Sequence, residues 1–302
     1  MRHLRLPKPS SLLQGLVLAL LLLSLPGLAQ AASPSGILLV AFGTSMEEAR
    51  ASLDDVGKAY EKAYPDKPVI WAYTSDIIRK KLASEGKTIF SVREALDECV
   101  RRGIVDLRVQ SLHVSPGEEY SMLERMLARY LAEHPGIFQH LWLGHPLLES
   151  VQDLDEVIAA VSTSLPKSRT SRDAVVLMGH GNDRGPGDLT LACVAMTMNP
   201  RDPLMYLASV EGGNAFDKVL PNLEKAGVKK VYLMPFMMVA GDHANNDLAG
   251  PEEDSWASMI KAKGMQAEAK LTGLGSIKGV QDIFLRHTKD TRDDLATPQK
   301  AF

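Results

Sequence analysis

The stretch Ala174-Val175-Val176-Leu177-Met178-Gly179-His180-Gly181-Asn182 is an apolar run that ends in a histidine held between two glycines. A strand with no polar alternation reads as one buried on both faces, as in the middle of a parallel sheet. Parallel α/β sheets bind ligands where their strands end. The same reading applies to residues 231–237, which run into Met238-Val239-Ala240-Gly241-Asp242-His243-Ala244-Asn245-Asn246-Asp247. Between them, Leu207-Ala208-Ser209-Val210-Glu211-Gly212-Gly213 is a third strand end, carrying a carboxylate. His180, Glu211 and His243 are therefore candidate metal ligands. Two imidazoles and one carboxylate form a borderline donor set, suited to Zn, Fe, Co or Ni.

Working outward, further β-rich runs at residues 37–42, 68–73, 105–112, 138–143, 204–210 and 265–271 alternate with helical patterns. Ser45-Met46-Glu47-Glu48 and Ser91-Val92-Arg93-Glu94 read as capping boxes, and the second helix should stop at Gly103. Residues 118–132 are helical by pattern and end before Pro135-Gly136. This alternation predicts an α/β fold with parallel sheets covered by helices on both faces.

The order also repeats. Thr44 to Thr74 spans 30 residues and His180 to Glu211 spans 31; Thr74 to His113 spans 39 and Glu211 to His243 spans 32. We expect two similar lobes, each with a roughly four-stranded parallel sheet flanked by helices, facing one another across a cleft. The boundaries are 32–165 for the first lobe and 166–302 for the second. The polar, turn-rich residues 163–171 form the linker. Residues 147–161 should form a helix crossing between lobes, and the helical pattern at 277–287 should return to the first lobe.

Residues 1–31 read as a secretory leader. Arg2, Arg5 and Lys8 precede an apolar stretch from Leu12 to Leu25, and Ala29-Gln30-Ala31 fits a small-x-small cleavage site. The stretch is short for a membrane span, and no second one follows. The expected mature chain is periplasmic and free of the membrane. The full chain has 34 Lys and Arg against 37 Asp and Glu; the leader holds three of the bases and none of the acids, which leaves 31 against 37. An acidic chain without a basic stripe argues against a nucleic-acid partner. The two cysteines, Cys99 and Cys193, read as free core thiols, with a disulfide left open by the oxidising compartment.

Taken together, Val40-Ala41-Phe42-Gly43-Thr44-Ser45, Leu112-His113-Val114-Ser115-Pro116-Gly117-Glu118-Glu119-Tyr120, Gly179-His180-Gly181-Asn182 and Gly241-Asp242-His243-Ala244-Asn245-Asn246-Asp247 resemble the anaerobic cobalt chelatases. These are sirohydrochlorin cobaltochelatases, relatives of ferrochelatase. The resemblance spans nearly the whole mature chain, in order. It implies a two-lobed α/β enzyme that inserts a divalent metal into a tetrapyrrole without a nucleotide. The metal is a substrate: Co2+ first, Fe2+ second. His180 and His243 would hold it, with Glu211 adding charge. His113, from the opposite jaw, would take a proton or touch the ring.

Other residues carry less. Glu118 and Glu119 open a helix, where the dipole favours carboxylates in any protein. Asp242 and Asn182 are expected to orient the two imidazoles. His134, His140 and His145 read as structural. Arg50, Arg79, Lys80, Lys81 and Arg184 follow cleft loops and could meet the substrate's carboxylates. Residues 232–238 could line the cleft floor, although strand core is the simpler reading. The rival function is a periplasmic metal-, haem- or tetrapyrrole-binding transport protein without turnover. The sequence leaves haem binding and homo-oligomer formation open.

Overall fold

Among the described residues, eight strands form two four-stranded sheets, and every pairing is parallel. The computed structural model describes residues 34–182 and 186–297. The leader expected at 1–31 and Arg184 lie outside them. The first sheet holds β1 (Ser35–Ala41), β2 (Val69–Tyr73), β3 (Asp106–Ser111) and β4 (His140–Gly144) in the order β2-β1-β3-β4. The second holds β5 (Ala174–Gly179), β6 (Met205–Ser209), β7 (Lys230–Pro235) and β8 (Gln266–Ala269) in the order β6-β5-β7-β8. The repeat in the sequence is thus a repeat of topology. Each strand forms where its apolar run lies, with ends shifted by no more than two residues.

Helices α1 (Glu47–Ala63), α2 (Asp76–Ser84), α3 (Val92–Arg101), α4 (Glu118–Glu133) and α5 (Val151–Thr163) accompany the first sheet. With the second come α6 (Pro186–Met198), α7 (Leu220–Lys225), α8 (Trp256–Ala262) and α9 (Lys278–Lys289). Side chains alternate across a strand, and that alternation divides the core. Leu38 and Val40 of β1 pack under α3 and α4 with Leu96, Leu123 and Leu127. Ile37, Leu39 and Ala41 face the other way, into a core shared with Val175 and Leu177 of β5. Leu53 and Tyr60 of α1, Val157 of α5, Leu191 of α6 and Phe284 of α9 complete that shared core. One hydrophobic body therefore fixes both sheets.

α5 packs against both α6 and α9, so it bridges the lobes as expected. α9 returns to the first lobe, against α1, β3 and β4. There the Tyr60 hydroxyl meets Thr288 Oγ1 at 2.6 Å, and Thr288 donates to Gln110 Oε1 at 2.8 Å. Leu143 N donates to Asp293 O and Leu295 N to Leu141 O, which closes the free edge of β4 with the chain's last described residues.

Three local expectations need correction. Ser45 does not cap α1: the N-cap is Met46, with no side-chain cap, and Thr44 Oγ1 accepts from Met46 N at 3.1 Å. The helix starts one residue later than the motif suggests, so Ser45 Oγ is one position too early to reach the third amide. The box at Ser91 and Glu94 does form, and an unforeseen one at Ser150 and Asp153 opens α5, later than the start at 147. Both thiols are free, but only Cys99 is buried. Cys193 lies on the exposed side of α6, a helix whose apolar residues are not confined to one face. Burial pushes the Cys99 thiol up to about 12, which leaves it unreactive.

Candidate functional site

β5 lies between β6 and β7, so His180, Glu211 and His243 project from three adjacent strand ends. The β5–β6 ladder continues past the strands: Val210 N donates to Gly179 O at 3.1 Å and Glu211 N to His180 O at 2.8 Å. Gly181 then turns at φ +82°. His180 Nδ1 stands 4.0 Å from Glu211 Oε2, and the His180 and His243 rings lie edge to face with centroids 5.0 Å apart. The side chains are 50 %, 49 % and 37 % exposed for His180, Glu211 and His243, so the site is open to an incoming ion.

The hydrogen bonds set the tautomers. His180 Nδ1 lies 2.9 Å from Gly181 O, and His243 Nδ1 lies 2.7 Å from Asp247 Oδ2. A carbonyl or carboxylate oxygen accepts, so each neutral ring donates through Nδ1–H and keeps the Nε2 lone pair free for a metal. Among the described residues, no three His, Cys, Asp or Glu side chains are gathered closely enough to hold a metal together. The arrangement is a histidine pair with a carboxylate alongside, not a closed cage.

The partners differ from those expected. The Asp242 carboxylate accepts from Asn246 Nδ2 at 3.0 Å; the His243 ring is held instead by Asp247, one helical turn on. Residues Ala244–Leu248 form a π-helical turn, and Asn245 Nδ2 ties it to Ala240 O at 3.1 Å and Gly241 O at 2.8 Å. Asn182 does not orient His180. Asp188, in the first turn of α6, instead accepts from Gly213 N at 2.7 Å and Asn182 N at 3.4 Å, pinning the β5 and β6 loops together. The sequence signal for Asp188 is only an acid after Pro186-Gly187 at a helix start, which is common.

The opposite jaw comes from the ends of β2 and β3. His113 is 8 % exposed, with Nδ1 2.8 Å from Ser111 Oγ. Its Nε2 is buried, has no hydrogen-bond partner and lies 3.9 Å from Glu119 Oε2. Thr74 Oγ1 donates to that same carboxylate oxygen at 2.8 Å. Glu119, given no role by the sequence, is thus held beside His113 by a strand end. The loops of the two jaws touch: a Cβ on Gly117 would stand 3.1 Å from Asn182 Nδ2, and Asn245 Nδ2 approaches Met46 Sδ at 4.0 Å. His140 pairs with Asp294 at 2.8 Å and His145 with Asp293 at 3.0 Å, in structural roles as expected. Tyr232, Leu233, Met234 and Phe236 are core residues, not cleft floor.

Burial holds His113 down from 6.5 to about 4. Below pH 6.5 the unfolded chain binds this proton and the folded one does not, so stability falls as pH drops from 6.5 toward 4. The loss from this one group is about 3 kcal/mol. Urea midpoints between pH 7 and 4 should therefore fall less steeply for His113→Gln than for the parent. Parallel curves would show that His113 is not buried neutral.

The paired lobes with matched strand-end loops define a class, the two-lobed chelatase fold. SirB from Bacillus subtilis with Fe3+ superposes at TM-score 0.60, with 15% identity, covering 84% of this chain and 94% of that one. DR2241 from Deinococcus radiodurans, a multi-domain protein with structural similarity to chelatases, superposes at 0.57, also at 15% identity, covering 87% of this chain and 56% of that one. At that identity these likenesses show the fold alone. Sequence goes further. The cobalt chelatase (CbiK) family model matches residues 35–293. Sirohydrochlorin cobaltochelatase CbiKC of Nitratidesulfovibrio vulgaris (strain Hildenborough) is 35% identical over 252 residues, 83% of this chain and 88% of that protein. Sirohydrochlorin cobaltochelatase of Salmonella typhimurium is 32% identical over 253 residues, 83% of this chain and 94% of that protein. The chain belongs to the cobalt chelatase (CbiK) family.

Proposed function

We propose that this protein inserts Co2+ into sirohydrochlorin, with Fe2+ as the second metal. The observation that carries the reading is the His180–His243 pair, with both Nδ1 atoms anchored and both Nε2 atoms free, opposite His113 and Glu119. The names of the relatives supply the substrate. The reaction exchanges one divalent ion for the two N–H protons of the free-base ring. His180, His243 and Glu211 would present the ion from one jaw. An open, weakly gathered set suits a metal that must be surrendered to four ring nitrogens. Glu119 would take protons from the other jaw, and His113, which burial keeps neutral, would contact the ring by accepting a hydrogen bond from an N–H. Glu119, 38 % exposed, can pass the proton to solvent.

Mixing the protein with sirohydrochlorin and Co2+ tests the reading through absorption spectra. Multiple turnovers above the spontaneous rate are expected. Stoichiometric binding without turnover would replace the enzyme with a carrier of metal, haem or tetrapyrrole. Glu211→Gln keeps the size of the side chain but removes its charge beside His180. Cobalt binding should weaken by about 1–3 kcal/mol, read by isothermal titration; unchanged affinity would remove Glu211 from the ligand set.

The location is also a proposal. The basic start, the apolar stretch and Ala29-Gln30-Ala31 support export to the periplasm. Among the described residues, no helix is long and apolar enough to cross a membrane. Cleavage after Ala31, read by mass spectrometry of the periplasmic fraction, is the expected result; an intact N-terminus in the cytoplasm would overturn it.

A further inference from the structure

A cavity of about 390 Å3 opens on the first lobe where β2 ends, between α2, α3 and α4. Three guanidiniums line it, Arg79 from α2, Arg93 from α3 and Arg129 from α4, against two carboxylates, Asp76 and Glu133. The pairing is uneven. Arg93 gives both terminal nitrogens to Glu133, at 2.7 and 2.6 Å, and stacks over the Tyr130 ring. Arg79 pairs through its outer nitrogens with Asp76 and, at 3.7 Å, with Glu94. Its Nε is buried with no hydrogen-bond partner. Arg129 pairs with no carboxylate among the described residues. With Glu94 counted beside Arg79 the local charges balance, but the cavity still holds one guanidinium without a carboxylate partner, Arg129, and one spare buried donor. A buried N–H without a partner is costly and is normally satisfied. Besides Thr74 and Ser91, the rest of the wall is apolar or aromatic, including Leu96, Val92 and the Tyr130 ring.

We propose that this cavity is a recognition site for one carboxylate carried on a short aliphatic arm. The carboxylate would answer Arg129 and Arg79 Nε, and the methylenes would lie against the apolar wall. The site adjoins the chemistry: Thr74 lines the cavity, and its hydroxyl holds Glu119 beside His113. Two sources present this group, a carboxylate arm of the tetrapyrrole or a free small dicarboxylic acid. The first rests on the function proposed above; the second does not.

The experiment uses the metal-free protein, so that turnover is not the readout. Sirohydrochlorin binding is followed by absorbance, and binding of free glutarate by calorimetry. Both are measured for the parent, Arg129→Met, Arg79→Met, Arg129→Lys and the control Arg101→Ala, on the far end of α3. If the macrocycle supplies the arm, the sirohydrochlorin Kd rises about tenfold in the two Met variants. Arg129→Lys then recovers part of the loss, Arg101→Ala matches the parent, and glutarate gives no heat. If a free acid is the ligand, glutarate binds the parent with a Kd below about 1 mM and loses that binding in the Met variants. Sirohydrochlorin affinity is then unaffected. Either change, in variants with native circular dichroism, supports the site. Unchanged sirohydrochlorin affinity together with no glutarate binding overturns it. A parent that binds no sirohydrochlorin would sink the proposed function instead, and the glutarate titration alone would then decide the cavity.

Discussion

His180→Ala and His243→Ala should each lower cobalt insertion by roughly 100-fold or more, equivalent to about 2.7 kcal/mol of lost transition-state stabilisation. Each removes one of the two Nε2 lone pairs that the Nδ1 anchors keep free. The melting temperature should stay within a few degrees of the parent. Both rings are substantially exposed and support no core packing, and such positions seldom cost much stability. Steady-state rates with sirohydrochlorin and Co2+ decide the matter. If either variant turns over at close to the parental rate, the metal is presented by other residues.

Gly181→Ala should damage the site while leaving both histidines in the chain. Gly181 turns at φ +82°, a region that costs an L-residue about 1–2 kcal/mol. A Cβ there would also stand 2.0 Å from Glu211 O, a backbone atom that no rotamer change can move away. Overpacking of that kind adds about 1–3 kcal/mol. Relieving the clash means displacing the Glu211 backbone, whose N–H donates to His180 O at 2.8 Å and ties the two strand ends together. Chelatase activity should fall at least about tenfold, and the urea midpoint should drop. An active variant of parental stability would show that the loop reaches the same geometry by another route.

The fold was legible because its strands are near-continuous apolar runs and its turns are punctuated by glycine. The internal spacing of Thr44, Thr74 and His113 against His180, Glu211 and His243 anticipated two sheets with one strand order. What escaped was decided in three dimensions. Asp247 and Asp242 are equally good hydrogen-bond partners on paper; the π-helical turn after His243 brings Asp247 within 2.7 Å and points Asp242 at Asn246. Glu119 reads locally as an ordinary acid at a helix start; what sets it apart is Thr74, 45 residues earlier, which holds it beside His113. Arg79 was one of several basic residues after a cleft loop; its meeting with Arg93 and Arg129 depends on three helices whose packing no local pattern reports. Cys193 misled because α6 is apolar on its outer side as well as its inner one.

The return of α9 to the first lobe sets an order of assembly on the ribosome. When the linker after α5 emerges, the first sheet has all four of its strands, yet Tyr60 lacks Thr288, Gln110 lacks the same hydroxyl and the free edge of β4 is bare. Those partners arrive only after the whole second lobe has been translated, a delay on the order of ten seconds at typical elongation rates. The nascent first lobe must spend that interval unfinished, with a buried tyrosine hydroxyl unpaired and an apolar face open. A chain stopped at the interlobe linker would lack the means to finish even the half it already contains.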